Sequence, residues 1–191
     1  MKQLTKEEFV ALVVRHNSGG QPAEGNIRNV KLSGFQVPLE LDAITIAMST
    51  LENLTFNAAS TLYGVAWIGN EIQGCSFFDV PMNKSEMLDC TFVDSRFFNV
   101  ALFRTDLSGT IFRHCVLEWV DLSNACLINA SFEDCTFSNL KVNAKTFVNG
   151  RKAFLLIFLA AWWLNPWARV IIKFDSLYII SACTQFPRMG W

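Results

Sequence analysis

The side chains most able to do covalent or metal chemistry in this 191-residue chain are two histidines and six cysteines. Their spacing assembles no reactive site. His114 has no Ser or Cys nucleophile at a separation that would suit a triad with a general base. His16 shares a predicted helical face with Phe9, Leu12 and Val13, which suits a lid residue better than a ligand. No CxxC, HExxH or glycine-rich phosphate loop occurs. Cys75, Cys90, Cys115 and Cys135 fall on one phase of a five-residue period, which packing explains better than bridging or metal binding. Cys126 stands off that phase. The expectation is a protein with no catalytic, cofactor-binding or metal site, and not an enzyme.

The period itself is the dominant signal. From Leu62 through Trp67, Ile72, Phe77, Met82, Met87, Phe92, Phe97, Leu102, Leu107, Phe112, Leu117, Leu122, Leu127, Phe132, Phe137 and Val142 to Phe147, 18 consecutive positions five apart are apolar, with no slip. Five is neither the helical period of 3.6 nor the strand period of 2. A frame shifted by one recovers Leu41, Ile46, Leu51 and Phe56, and shifting back recovers Ile27, Leu32 and Val37. That makes 25 pentads, with a residue missing near Pro38 and an extra one near Ala59, at corners that tolerate length changes. Two residues before each centre sits a mostly small or β-branched residue, such as Ser60, Val65, Cys75, Ser95 or Thr105. Same-side residues two apart need extended backbone. The chain must therefore run in short straight pieces and turn once in every five residues.

Units such as "VDLSN", "TDLSG", "ASFED", "CTFVD" and "CTFSN" resemble the pentapeptide-repeat family over roughly residues 25 to 149. The resemblance implies an all-β fold, a right-handed quadrilateral parallel β-helix with four pentads per coil. Twenty-five pentads then give about six coils, a rod of roughly 30 Å at a strand spacing of ~4.8 Å. Residues 20 apart would stack. Phe92, Phe112 and Phe132 make one such column, and Phe77, Phe97, Leu117 and Phe137 the next. These seven are the expected structural core columns. Cys126 would lie beside Asp106, a poor neighbour for a nucleophilic sulfur.

Three parts are expected: a capping helix and linker over 1–24, the β-helix over 25–149 and an apolar tail over 150–191. Thr5 to about His16 reads as a short N-terminal capping helix, with Thr5 and Glu8 at capping-box spacing and "NSGG" as its stop. Its expected role is a lid over the first coil. In the tail, Ala153 to Leu164 reads "AFLLIFLAAWWL", an apolar C-terminal helical element with no polar residue. A bilayer needs about 20 apolar residues, and extension to Ile172 takes in Asn165, Pro166 and Arg169. Such a helix has to be buried against the last coil, a second copy in a homodimer, or lipid through residues 153–172. Phe154, Phe158, Trp162, Trp163 and Trp167 are its candidate self-association or membrane-contact residues.

The formal net charge is −1, which argues against direct nucleic-acid binding. Residues 25–149 hold 13 acidic and 8 basic side chains, while residues 150–191 hold five basic side chains and Asp175. "MKQLTKEEFV" has acids where a signal peptide would begin its apolar run, and the cysteines suit a reducing compartment. The expected location is the cytoplasm, including the surface of a membrane. Two readings of function from different classes follow, and the tail adds a third. The first is a rigid protein-interaction scaffold for an unknown protein partner. The second is a DNA mimic, because the Phe-rich and Cys-rich pentads and the apolar C-terminal element resemble family members that bind DNA gyrase and protect it from quinolones. Against it, Lys84, Arg96, Arg104, Arg113 and Lys141 interrupt the acids Glu71, Asp94, Asp106, Asp121, Glu133 and Asp134. The third is a repeat protein tethered to a membrane by its tail.

Overall fold

The turn that the period demands is made by one backbone conformation. In this computed structural model, which describes residues 1–18, 26–37, 40–142, 146–148, 171–174 and 177–180, a residue with positive φ recurs two places after the pentad centres. Examples run from Asn29 (52°) through Gly109 (71°) to Asn139 (53°). Asn, Asp or Gly occupies 15 of the 21 such positions, and these residues reach the left-handed region at least cost. At Gly109 there is a second constraint, because a Cβ there would overlap Asp89 Oδ1 on the adjacent rung.

Four straight pieces and four turns bring the chain back to its starting column, and the rungs pair in parallel. The first face stacks Asn26–Arg28, Thr45–Ala47, Ala66–Ile68 and Glu86–Leu88, and continues through bridges at Asp106 to Cys126–Leu127 and Phe147–Val148. Thr50–Glu52, Glu71–Gln73, Thr91–Val93, Ile111–Arg113 and Ser131–Glu133 extend the second face from Val30–Ser33. Six strands make the third: Gln36–Val37, Thr55–Phe56, Ser76–Phe78, Arg96–Phe98, Val116–Glu118 and Thr136–Ser138. The fourth is held by isolated bridges, Pro81 to Ala101 to Asp121 to Lys141. Among the described residues the fold is an all-β parallel solenoid of about six turns with one short helix.

Both expected frame shifts appear as register. Ile27 pairs with Ile46, Ile46 with Trp67 and Trp67 with Met87, separations of 19, 21 and then 20. The unbroken run to Phe147 is corrected, however. Leu127 pairs with Val148 and Cys126 with Phe147. Asp121 still pairs with Lys141, so the extra residue enters between Lys141 and Thr146.

Every centre from Ile27 to Leu127 is buried, and the aromatic ones stack in register. Phe112 lies parallel to Phe92 at 5.0 Å and to Phe132 at 4.8 Å between ring centroids. Phe77 stacks on Phe56 and on Phe97, each at 4.8 Å. Neighbouring columns meet edge to face, as Phe92 does with Phe97 at 5.3 Å, the arrangement that ring quadrupoles favour.

The N-terminal end is covered twice. Lys2–Gln3 pairs in parallel with Val30 and Lys31, adding a rung to the second face that the repeat pattern does not announce. The helix, Lys6–Asn17, follows with both halves of the Thr5–Glu8 capping box formed. It buries Phe9 and Val13, and Phe9 packs against Phe35 at 5.9 Å. The expected helical element at Ala153 to Leu164 lies outside the described residues. Ile171–Phe174, at the end of the longer apolar reading, is instead a strand paired antiparallel with Leu177–Ile180.

Candidate interaction surface

The small inward position does more than fill space. Its polar side chains donate to the carbonyl of the centre one coil earlier: Ser85 to Leu62 at 2.7 Å, Thr105 to Met82 at 2.9 Å and Asn70 to Ile46 at 2.7 Å. Cys90 uses its thiol in the same way toward Trp67 O, at 3.3 Å, and Cys135 toward Phe112 O, at 3.4 Å. Burial pushes the Cys75 and Cys90 thiols up to about 11. Cys115, hydrogen-bonded to Cys135 and buried, is also raised. Cys75, Cys90 and Cys115 are thus structural donors held far from the thiolate, whereas the hydrogen bond with Cys115 lowers Cys135. Cys126 stacks on Asp106 as expected, with its Sγ 3.4 Å from Ser108 Oγ.

Both histidines stand apart from such groups. His16 Nδ1 is buried without a hydrogen-bond partner. His114 occupies an exposed corner, its Nδ1 4.0 Å from Asp134. Phe92, Phe112, Phe77, Phe97, Leu117 and Phe137 line the buried columns, and Phe132, at the last full rung, is half-buried. Phe154, Phe158, Trp162, Trp163 and Trp167 lie outside the described residues.

Three outward ion pairs join adjacent rungs. Lys31 meets Glu52 at 2.6 Å, Arg113 meets Glu133 at 2.6 Å and Lys141 meets Asp121 at 2.8 Å. Burial alone would raise Asp121, but hydrogen bonds from Lys141 and Ser123 and the Lys141 charge outweigh it and hold the carboxyl below its usual range. Lys84 lies over the Tyr63 ring and Arg104 over Phe103, each 5.2 Å from the centroid. The second face is thus a salt-bridged, solvated surface.

The third face differs. Phe98 is 39% exposed, Val116 37% and Trp119 54%, and they occupy adjacent rungs. Phe78, its ring tilted against that of Phe98 with centroids 6.5 Å apart, extends the patch by one more rung. Trp119 is also a corner residue, with φ at 57°. A left-handed conformation costs a side chain of this kind roughly 1–2 kcal/mol, which Asn or Gly would largely avoid. Trp119 thus combines a left-handed backbone with an aromatic ring more than half exposed. Sequence periodicity missed this cluster because outward positions are mixed in character. Its signal was the substitution of Trp for the usual Asn, Asp or Gly, together with Phe at two outward positions one coil apart.

The fold defines a parallel β-solenoid, and the comparisons give the class of repeat. The family model for pentapeptide repeats matches residues 102–139, in 8 copies. Over that stretch the repeats match the pentapeptide-repeat model. No curated protein matches the sequence. Among solved structures it is similar to a trypsin-treated variant of QnrB1, a plasmid-mediated fluoroquinolone resistance protein, at 10% identity over 70% of this chain and 96% of that one, TM-score 0.31. Rfr23, a pentapeptide repeat protein from the cyanobacterium Cyanothece 51142, is 11% identical over 74% of this chain and 99% of its own, TM-score 0.28. HetL, involved in heterocyst differentiation regulation in the cyanobacterium Nostoc sp. strain PCC 7120, is 12% identical over 76% and 77%, TM-score 0.25.

Proposed function

We propose that this protein is a non-enzymatic interaction scaffold, a right-handed quadrilateral rod that engages a protein partner through its third face. The observation that carries this reading is the patch of Phe98, Val116 and Trp119 on a continuous six-stranded sheet. Large apolar side chains gathered on one surface mark contact sites more often than they serve a monomer. The sheet behind them is pre-organised, so docking need order little of this chain. Paired charges on the second face support the choice of the third. The apolar tail over 150–191 is a separate part in this reading, a further contact region of the same rod.

The test is a photo-crosslinking residue placed at Thr136, on the third face, and compared with one at Gln73, on the second. A discrete adduct from position 136 and none from position 73 is the expected result. Equal labelling from both positions would remove the third face as the docking site.

A further inference from the structure

We infer that the occupant of the third face is a second copy of the same chain, docked about a two-fold axis that runs along the diagonal from Phe98 to Val116. This rests on the scaffold reading and gives it a partner. The register sets Arg96 beside Val116 and Phe98 beside Glu118 on adjacent rungs. Within a rung Arg96 and Phe98 are about 6.6 Å apart along the strand, and the next rung lies about 4.8 Å away. Arg96 and Glu118 thus end one diagonal of a near-rectangle, and Phe98 and Val116 end the other.

A two-fold axis in the plane of the face, along the Phe98–Val116 diagonal, carries Arg96 of one copy to within about 3 Å, measured in the plane, of Glu118 of the other. The same operation lays Trp119 over the rung that carries Ser76 and Phe78, and brings Phe98 against its own counterpart. Every member of the patch then meets a compatible group: aromatic with aromatic, Val116 with its own counterpart, and cation with anion. Self-complementarity of this kind is the condition for a closed isologous dimer. Arg96 and Glu118 have no ion-pair partner among the described residues, so both charges are free for it. The geometry also accounts for Trp119, whose strained corner conformation directs the largest side chain of the patch toward Phe78 of the second copy.

The experiment is sedimentation equilibrium of the full chain with Arg96→Glu, Glu118→Arg and the double reversal. Each single reversal sets like charges opposite each other twice in a symmetric dimer and should raise the dimer Kd at least about tenfold, while the double reversal restores it. Trp119→Asn should weaken the dimer while raising the melting temperature, a combination that a merely structural tryptophan would not give. A chain that stays monomeric across the micromolar range overturns the inference. So does association indifferent to Arg96→Glu, which would place the contact elsewhere. A crosslinker at Thr136 separates this claim from the one beneath it. A self-adduct supports the dimer, an adduct of another mass alone overturns it and leaves the scaffold reading standing, and no adduct overturns both.

Discussion

Phe112 is stacked between Phe92 and Phe132 and meets Phe97 edge to face at 5.8 Å. Truncation therefore opens a cavity that neither neighbour can fill without losing its own stack. Phe112→Ala should cost ~3–5 kcal/mol, whereas Arg113→Ala, which removes an exposed pair with Glu133, should cost at most about 1 kcal/mol. Urea denaturation of the two variants checks this, and equal midpoints would mean that the inward register is misassigned. The cysteines give a second test at this scale. Cys75, Cys90, Cys115 and Cys135 are buried, whereas Cys126 is partly exposed. A thiol reagent at mildly alkaline pH should modify Cys126 in the folded protein and reach the other four only after denaturant is added. Prompt native labelling of Cys90 would contradict its burial. Sequence made the apolar centres legible because each is large and recurs on a fixed phase. The donor role of Ser85, Thr105 and Cys90 was not legible, because it depends on a carbonyl one coil earlier that only the folded backbone brings near.

At the level of elements, the fourth face is the least regular, held by bridges and not by continuous strands. Side-chain ties therefore matter more there, and Asp121 provides one through Lys141 at 2.8 Å and the Ser123 amide at 2.9 Å. Its carboxyl is held below the usual range in the folded state. The stability it contributes is accordingly present above the unfolded carboxylate value of about 4 and is lost as pH falls through the lower folded value. Asp121→Asn should flatten the acid limb of a plot of urea midpoint against pH, leaving the two proteins closer at about pH 3 than at about pH 6, roughly one unit below and two units above the unfolded value. Parallel curves would show that Asp121 is not tied to this face. Among the elements, the capping helix was legible because Thr5 and Glu8 have a specific spacing. Lys2–Gln3 was not, because two polar residues carry no period. The late slip was hidden because Phe147 and Val148 are both apolar, so either frame satisfies the pattern.

On the scale of the whole molecule, the distribution of charge decides between a scaffold and a duplex surrogate. Asp79, Asp89, Asp94 and Asp134 are corner residues with positive φ, so the turn itself accounts for their type. They are spread over three different corners, and Asn99 hydrogen-bonds Asp79 at 2.7 Å. Glu52, Asp121 and Glu133 are each paired with a basic side chain. No face presents an unbroken acidic line among the described residues. Duplex DNA carries a charge about every 1.7 Å with both strands counted, so about 30 Å of duplex carries on the order of 18 around its whole girth, all of one sign. The repeat region has 13 acidic side chains around all its faces and 8 basic ones among them. The expected outcome is that the purified chain leaves DNA gyrase supercoiling unchanged and gives no protection from quinolones in cells. Inhibition that weakens on neutralising Glu71, Asp94 and Asp106 would overturn this, and would move the functional surface from the aromatic third face to the acidic positions. Inhibition insensitive to those changes but abolished by Trp119→Asn would place gyrase, or any other target, on the third face through apolar contact. In either case the paired charges of the second face predict little effect from Arg113→Ala, which makes that variant the control for both assays.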